Sequence, residues 1–160
     1  MSPRTQPPEG DFHYRHPIEV RFVDTDALGH INNATYLSYF EAARAGYYQA
    51  LMGTPFGTSE GADRYTFLIA EACLHYRVPA FFGEPIVTEC RVAWTSRSSF
   101  GLEYRVVSEG SEIAPARLVA DGETVQVMYD LKRERVTRIP ADLLERFATF
   151  ERREIPQRPK

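Results

Sequence analysis

Val20-Arg21-Phe22-Val23-Asp24-Thr25-Asp26-Ala27-Leu28-Gly29-His30-Ile31-Asn32-Asn33-Ala34-Thr35-Tyr36 is the stretch that decides how this chain folds. At its start Ile18, Val20 and Phe22 alternate with Glu19, Arg21 and Val23, the period-two pattern of a half-buried strand. Two carboxylates, a glycine turn and a double Asn follow. A short side-chain carbonyl accepts bonds from early helical amides, so Asn32 or Asn33 is the expected N-cap. The stretch therefore sets a carboxylate beside the unpaired N–H groups of a helix start. Splitting an ester-like bond needs that combination: a group that attacks or deprotonates water, and donors that hold an oxyanion.

Downstream, Leu37, Phe40, Tyr47 and Leu51 recur at helical spacing, while Ala42, Ala43 and Ala45 let neighbours approach closely. Gly53 and Pro55 end the helix. Residues 53–65, rich in Gly, Thr and Ser, read as a surface loop or lid. Strand patterns come next: Leu68 to Arg77, Ile86 to Trp94, and Phe100 to Val106. In the last long strand Leu118 and Ala120 give way to Val125, Val127 and Tyr129, a change of parity that a bulge near Asp121-Gly122, or a tight Asp-Gly hairpin, would produce. Pro140 followed by Leu143, Leu144, Phe147 and Phe150 predicts a short closing helix. One strand, one long helix, four further strands and a short helix is an α+β order in a single domain. The expected boundaries are an arm over 1–15, the domain over 16–151 and a tail over 152–160.

Composition narrows the function. At 160 residues the chain can bury one substantial core. Hydrophobic content of 43% and charged content of 26% suit a soluble globular protein, and no run has the length of a membrane span or a signal h-region, so a cytoplasmic setting is expected. A net charge of −3 gives no general attraction to nucleic acid or anionic membrane, and any anionic ligand must meet a local basic cluster. Cys73 and Cys90 lie in strand patterns without ligand spacing and are expected to be reduced. His13 and His16 sit in the arm and His75 stands apart, so no metal site is expected, and neither a G-x-S-x-G elbow nor a phosphate-binding Gly loop is present.

The segment DTDALGHINNATYLSYFEAAR resembles the hotdog-fold acyl-CoA thioesterases of the 4-hydroxybenzoyl-CoA thioesterase type, whose pattern reads D-x-D-x-x-G-[H/V]-[V/I]-x-N-x-x-Y. The likeness is dense over residues 18–44 and weaker to about residue 131. It implies a hotdog fold, a curved antiparallel sheet wrapped around one long helix. It also implies hydrolysis of an acyl-CoA substrate without cofactor, and a homodimer or homotetramer. The His-Ile-Asn-Asn form lies closer to the long-chain acyl-CoA and acyl-carrier-protein branches than to the aromatic-acyl branch. Leu28 replaces the Asn of the carrier-protein branch and favours coenzyme A.

Carried onto this chain, the resemblance makes Asp26, not Asp24, the nucleophile or general base. It sets a backbone N–H near Asn33 against the thioester carbonyl and counts His30 among the active-site residues. Tyr36 would wall the substrate pocket. Arg97, Ser98 and Ser99 would contact the pantetheine or nucleotide, with Lys132, Arg133 and Arg135 as a second basic group. Glu41 is expected to pair with Arg44 across one turn. Ile69 and Cys73 form an outward apolar face suited to a partner copy. The alternatives are an acyl-carrier-protein thioesterase, a non-catalytic acyl-CoA binding module, which would need no Asp26, and a dehydratase of 3-hydroxyacyl thioesters, whose motif is missing here.

Overall fold

A computed structural model describes residues 6–53 and 65–158. Among these residues six antiparallel strands accompany two α-helices: β1 (Tyr14–Ile18), α1 (Thr35–Met52), β2 (Phe67–Tyr76), β3 (Ile86–Thr95), β4 (Ser99–Ser108), β5 (Arg117–Asp130), β6 (Arg135–Val136) and α2 (Ala141–Glu151). The sheet order is β1-β3-β4-β5-β2, with β6 beside β5. This is the expected hotdog arrangement of one long helix against an antiparallel sheet. The lid expected over 53–65 falls, beyond Gly53, largely outside the described residues.

The first strand lies earlier than its apolar alternation suggested. It spans Tyr14–Ile18, inside and just after the expected arm, and residues Phe22–Asp24 form a 3-10 turn that leaves Phe22 and Val23 exposed. Arg21 makes the difference: its backbone N–H and guanidinium both bond the Asp24 carboxylate, folding the chain into a turn. Ahead of β1, Phe12 is buried beneath the Arg91 and Arg105 guanidinium groups, each 4.2 Å from its ring centroid. At the other end of the chain, Thr95 exchanges backbone bonds with Pro156 and Arg158, so the C-terminal segment covers the β3 edge beyond β1. β2 is left as an exposed edge.

Helix α1 starts at Thr35, with Ala34 and not an Asn at its cap, and ends on Gly53 in the left-handed conformation (φ 68°). Its buried face is aromatic: Tyr36, Tyr39, Phe40, Tyr47 and Tyr48, with Ala43 between them. Leu37, expected in the core, is 47% exposed, because Tyr36 and Tyr39 take the sheet-facing positions beside it. Phe40 stacks on Tyr104 of β4 at 4.3 Å, and Tyr47 packs edge-on against Phe150 of α2. Two glycines permit this closeness. A Cβ on Gly46 would overlap Tyr14 and His16 of β1, and one on Gly122 would overlap the Cys73 carbonyl and the Phe40 ring.

Gly122 is therefore neither a hairpin nor a bulge. β5 runs unbroken through it, and the extra residue is Val119, opposite the Val106–Val107 step. The inward positions are Ala120, Gly122, Thr124 and Gln126, which pair with Val106, Tyr104, Leu102 and Phe100, so Val125 and Val127 fall on the opposite face. A second irregularity at Ala70 corrects the face assigned to β2. Ile69 pairs with Gln126 on the inner side and Cys73 with Glu123 on the outer side, so the two residues do not share a face. Both cysteines are free thiols.

Candidate active site

The loop between β1 and α1 is closed by reciprocal bonds. Thr25 bridges Ile31, the Asp26 N–H donates to the His30 carbonyl (2.8 Å), and the Gly29 N–H donates to the Asp26 carbonyl (3.0 Å), with Gly29 at φ 78°. Asp26 Oδ1 accepts the Leu28 and His30 amides at 2.9 and 3.3 Å. Its Oδ2 has no partner among the described residues, and the residue is only half-buried. Asp26 and His30 are thus held together by main-chain bonds, with one carboxylate oxygen committed and the other open.

Two buried carboxylates anchor this loop from either side. Asp24 takes the Arg21 bonds and the Tyr39 hydroxyl (3.1 Å), and its carbonyl accepts the Asn32 N–H (2.7 Å). Burial opposes its charge, but the bonds from Arg21 and Tyr39 outweigh that and hold its carboxyl below the usual range. On the other side Ile31 donates to the Ala80 carbonyl, and His30 bridges Phe81, whose ring meets the imidazole edge-on at 5.2 Å. The Phe81 N–H donates to Glu84, which also receives Ser108 (2.6 Å) and Arg117 (2.7 and 2.9 Å). Burial again opposes the charge of Glu84, and these donors again prevail. Local sequence patterns single out neither Glu84 nor Arg117 as supports of this loop. A Glu directly after the Pro79–Gly83 turn was the available signal.

At the helix start Asn32 caps the turn: its Oδ1 accepts the Ala34 N–H and its carbonyl the Thr35 N–H, both at 3.0 Å. The Asn33 carbonyl accepts the Tyr76 hydroxyl (2.9 Å), while the Asn33 N–H bonds to none of the described residues. Tyr36 is buried in the core against Tyr39 and Tyr76. Burial, with Glu84 nearby, pushes its phenol up to about 12, so it stays neutral at physiological pH.

Arg97, Ser98 and Ser99 are not brought to this place. They form the β3–β4 turn, paired with the far end of β5, whereas the Asp26 loop adjoins Ala80–Phe81 at the end where β3 begins. The length of β4, about 30 Å at the usual strand rise, separates the two ends. Of the second basic group, Lys132 lines a cavity of about 400 Å³ with Arg138, Tyr65, Thr66 and Met128, while Arg97 is tied to the neighbouring segment by the Ile139 N–H, which donates to its carbonyl. No group of His, Cys, Asp or Glu suited to a metal ion occurs among the described residues, and no described helix is long and apolar enough to cross a membrane.

An antiparallel sheet around a long helix, with a half-buried carboxylate in the loop that leads into that helix, is the architecture of the hotdog class. Residues 20–147 match the Thioesterase-like superfamily. The fold matches a Thermus thermophilus thioesterase crystallised with coenzyme A and Zn, with a TM-score of 0.74 and 32% identity over 89% of this chain and 96% of that one. The Escherichia coli long-chain acyl-CoA thioesterase FadM is 26% identical over 81% of this chain and 92% of its own. The Escherichia coli acyl-CoA thioester hydrolase YbgC is 23% identical over 84% and 95%. The chain belongs to the Thioesterase-like superfamily and is a thioester hydrolase.

Proposed function

We propose that the chain hydrolyses acyl-CoA thioesters, and that Asp26 carries the reaction. The observation that bears most weight is the divided Asp26 carboxylate: Oδ1 is fixed by two amides, while Oδ2 is open beside the helix start. In this reading Oδ2 attacks the thioester carbonyl or takes a proton from the attacking water. The tetrahedral oxyanion is held by the Asn33 N–H at the positive end of α1. Collapse breaks the C–S bond and the coenzyme A thiolate leaves and takes up a proton; the free acid forms directly when water is the attacking group, or by hydrolysis of the Asp26–acyl anhydride when Oδ2 is. His30, tied to Asp26 through the backbone, orients the attacking water. Tyr36 supports the acyl-facing wall from beneath. The motif around Asp26 supports a place near the 4-hydroxybenzoyl-CoA thioesterase type, and the names of FadM and YbgC support coenzyme A as the carrier.

The separation of Asp26 from Arg97 is resolved by a homodimer. Antiparallel pairing of two β2 edges about a two-fold axis sets the Arg97 end of one copy beside the Asp26 end of the other. Arg97, Ser98 and Ser99, with Lys132, then meet the nucleotide phosphates of a substrate whose thioester lies at the partner's Asp26 loop. The first test is thiol release from a panel of acyl-CoAs by wild type and Asp26→Asn. A loss of several orders of magnitude in a folded variant supports the reading, and equal hydrolysis by both would refute it.

A further inference from the structure

The two flanks of α1 differ in a way the hydrolysis reaction alone does not use. On the β1 side Gly46 lies directly against Tyr14 and His16. The opposite flank carries Leu37, Arg44 and Tyr48 and looks over β4, β5 and β2. Arg44 is half-buried and does not pair with Glu41. Its one hydrogen bond among the described residues goes to the Tyr104 hydroxyl (3.4 Å), which contacts Thr124 Oγ1 (2.8 Å), which in turn contacts the Gln126 amide. No carboxylate of the described residues pairs with this guanidinium. Beside it the Tyr48 hydroxyl is buried, with the residue 5% exposed, and has no partner among the described residues. Burial raises the Tyr48 phenol well above its ordinary range, so it remains a donor.

Among the described residues, a half-buried cation without a counterion and a buried hydroxyl without a partner leave this place rich in donors and short of acceptors. The walls around it are apolar and open: Leu37 on the helix, Ile69 and Ala72 on the inner face of β2, and Phe67 stacked on Tyr48 at 4.8 Å. Along α1, Arg44 lies about 16 Å beyond Asn33, and its side chain leans back toward the helix start. A chain attached at the Asn33 N–H and lying along this flank therefore brings its far end to Arg44.

We propose that this groove receives an acyl chain of medium length whose far end carries a carboxylate, bound by the Arg44 guanidinium above the buried Tyr48 hydroxyl. The inference rests on the acyl-CoA reading above and specifies its substrate class: an ω-carboxyacyl thioester. An unsubstituted alkyl chain would cover both donors without supplying an acceptor, the more costly outcome.

The test compares kcat/KM for matched pairs, suberoyl-CoA against octanoyl-CoA and sebacoyl-CoA against decanoyl-CoA, in wild type, Arg44→Met and Tyr48→Phe. Wild type is expected to favour the carboxylated member by about ten- to a hundredfold, as a buried charge-assisted bond allows. Arg44→Met should bring the ratio near one, and Tyr48→Phe should lower it severalfold. The Tyr48 variant keeps the test intact should Arg44→Met fail to fold. A wild-type preference for the plain chains, or a carboxylate preference that survives both substitutions, overturns the proposal. So does dissociation of an oligomer by Arg44→Met with the ratio unchanged, which would make Arg44 an interface residue. Should wild type cleave no thioester at all, thermal stabilisation by free sebacate, lost in Arg44→Met, would sustain the groove while the hydrolysis reading fell.

Discussion

The two ends of the sheet are built on opposite plans. At the Asp26 end, loops are pinned by buried carboxylates: Asp24 with Arg21 and Tyr39, Glu84 with Arg117 and Ser108. At the Arg97 end the charges are basic, mostly exposed and held by few bonds, with Asp130 accepting the Lys132 and Arg133 amides and little else fixing their side chains. Chemistry requires groups positioned to a fraction of an ångström, and the first end supplies that order. Capture of a flexible polyanion requires only field and reach, and the second end supplies those. The contrast separates what must be rigid from what need only be charged.

The largest effect is expected where the two ends share a frame. Gly122→Val should unfold the domain or destabilise it by at least about 3 kcal/mol, because the new side chain meets backbone at Cys73 as well as the Phe40 ring, and urea denaturation measures this. At the Asp26 end alone, Arg117→Met leaves Glu84 buried and unpaired. It should cost about 3 kcal/mol of stability and lower kcat through the Phe81–His30 bridge, with a smaller effect on KM. At the Arg97 end, Arg97→Ala should leave stability and kcat nearly unchanged and raise KM for acyl-CoA by up to about tenfold, more at low salt than at high.

Acid distinguishes the ends as well. Asp24 and Glu84 have carboxyls held below their ordinary values of 3.8 and 4.5 in the folded chain. Their contribution to stability is therefore complete above those values and is lost as pH falls through the lower folded ones. Below about pH 4 the Asp26 loop should loosen before the sheet does, visible as faster amide exchange at His30 and Ile31 than in β4. The smallest effect belongs to Asn33→Ala, since its proposed donor is backbone. A change of severalfold at most in kcat/KM is expected.

Much of this arrangement was legible in the sequence, for identifiable reasons. β3 and β4 alternate over ten residues and were placed within a residue or two, because a strand buried at most positions leaves a strong pattern. Gly53 marked the end of α1, where a positive φ was needed. The first strand was misplaced because Phe22 and Val23 are apolar yet exposed, and the Arg21–Asp24 bond that turns the chain has no periodic signature. The inner faces of β2 and β5 were reversed in part because single extra residues at Ala70 and Val119 shift parity without changing composition. Around the site, Asp26, His30 and Asn33 were adjacent in sequence and could be read together. Tyr76, Glu84 and Arg117 reach the same loop only through the pairing of distant strands, which no local window contains.

The most direct measurement is complementation between Asp26→Asn, which lacks the proposed reacting carboxylate, and the charge-reversed Arg97→Glu, which binds acyl-CoA weakly, refolded as a mixture and assayed at an acyl-CoA level far below the KM of Arg97→Glu. With each site built from the Asp26 end of one copy and the Arg97 end of its partner, every mixed dimer regains one intact site, and about a quarter of wild-type activity should return. A mixture no more active than its components would place both ends in a single chain's site and contradict the shared-site reading.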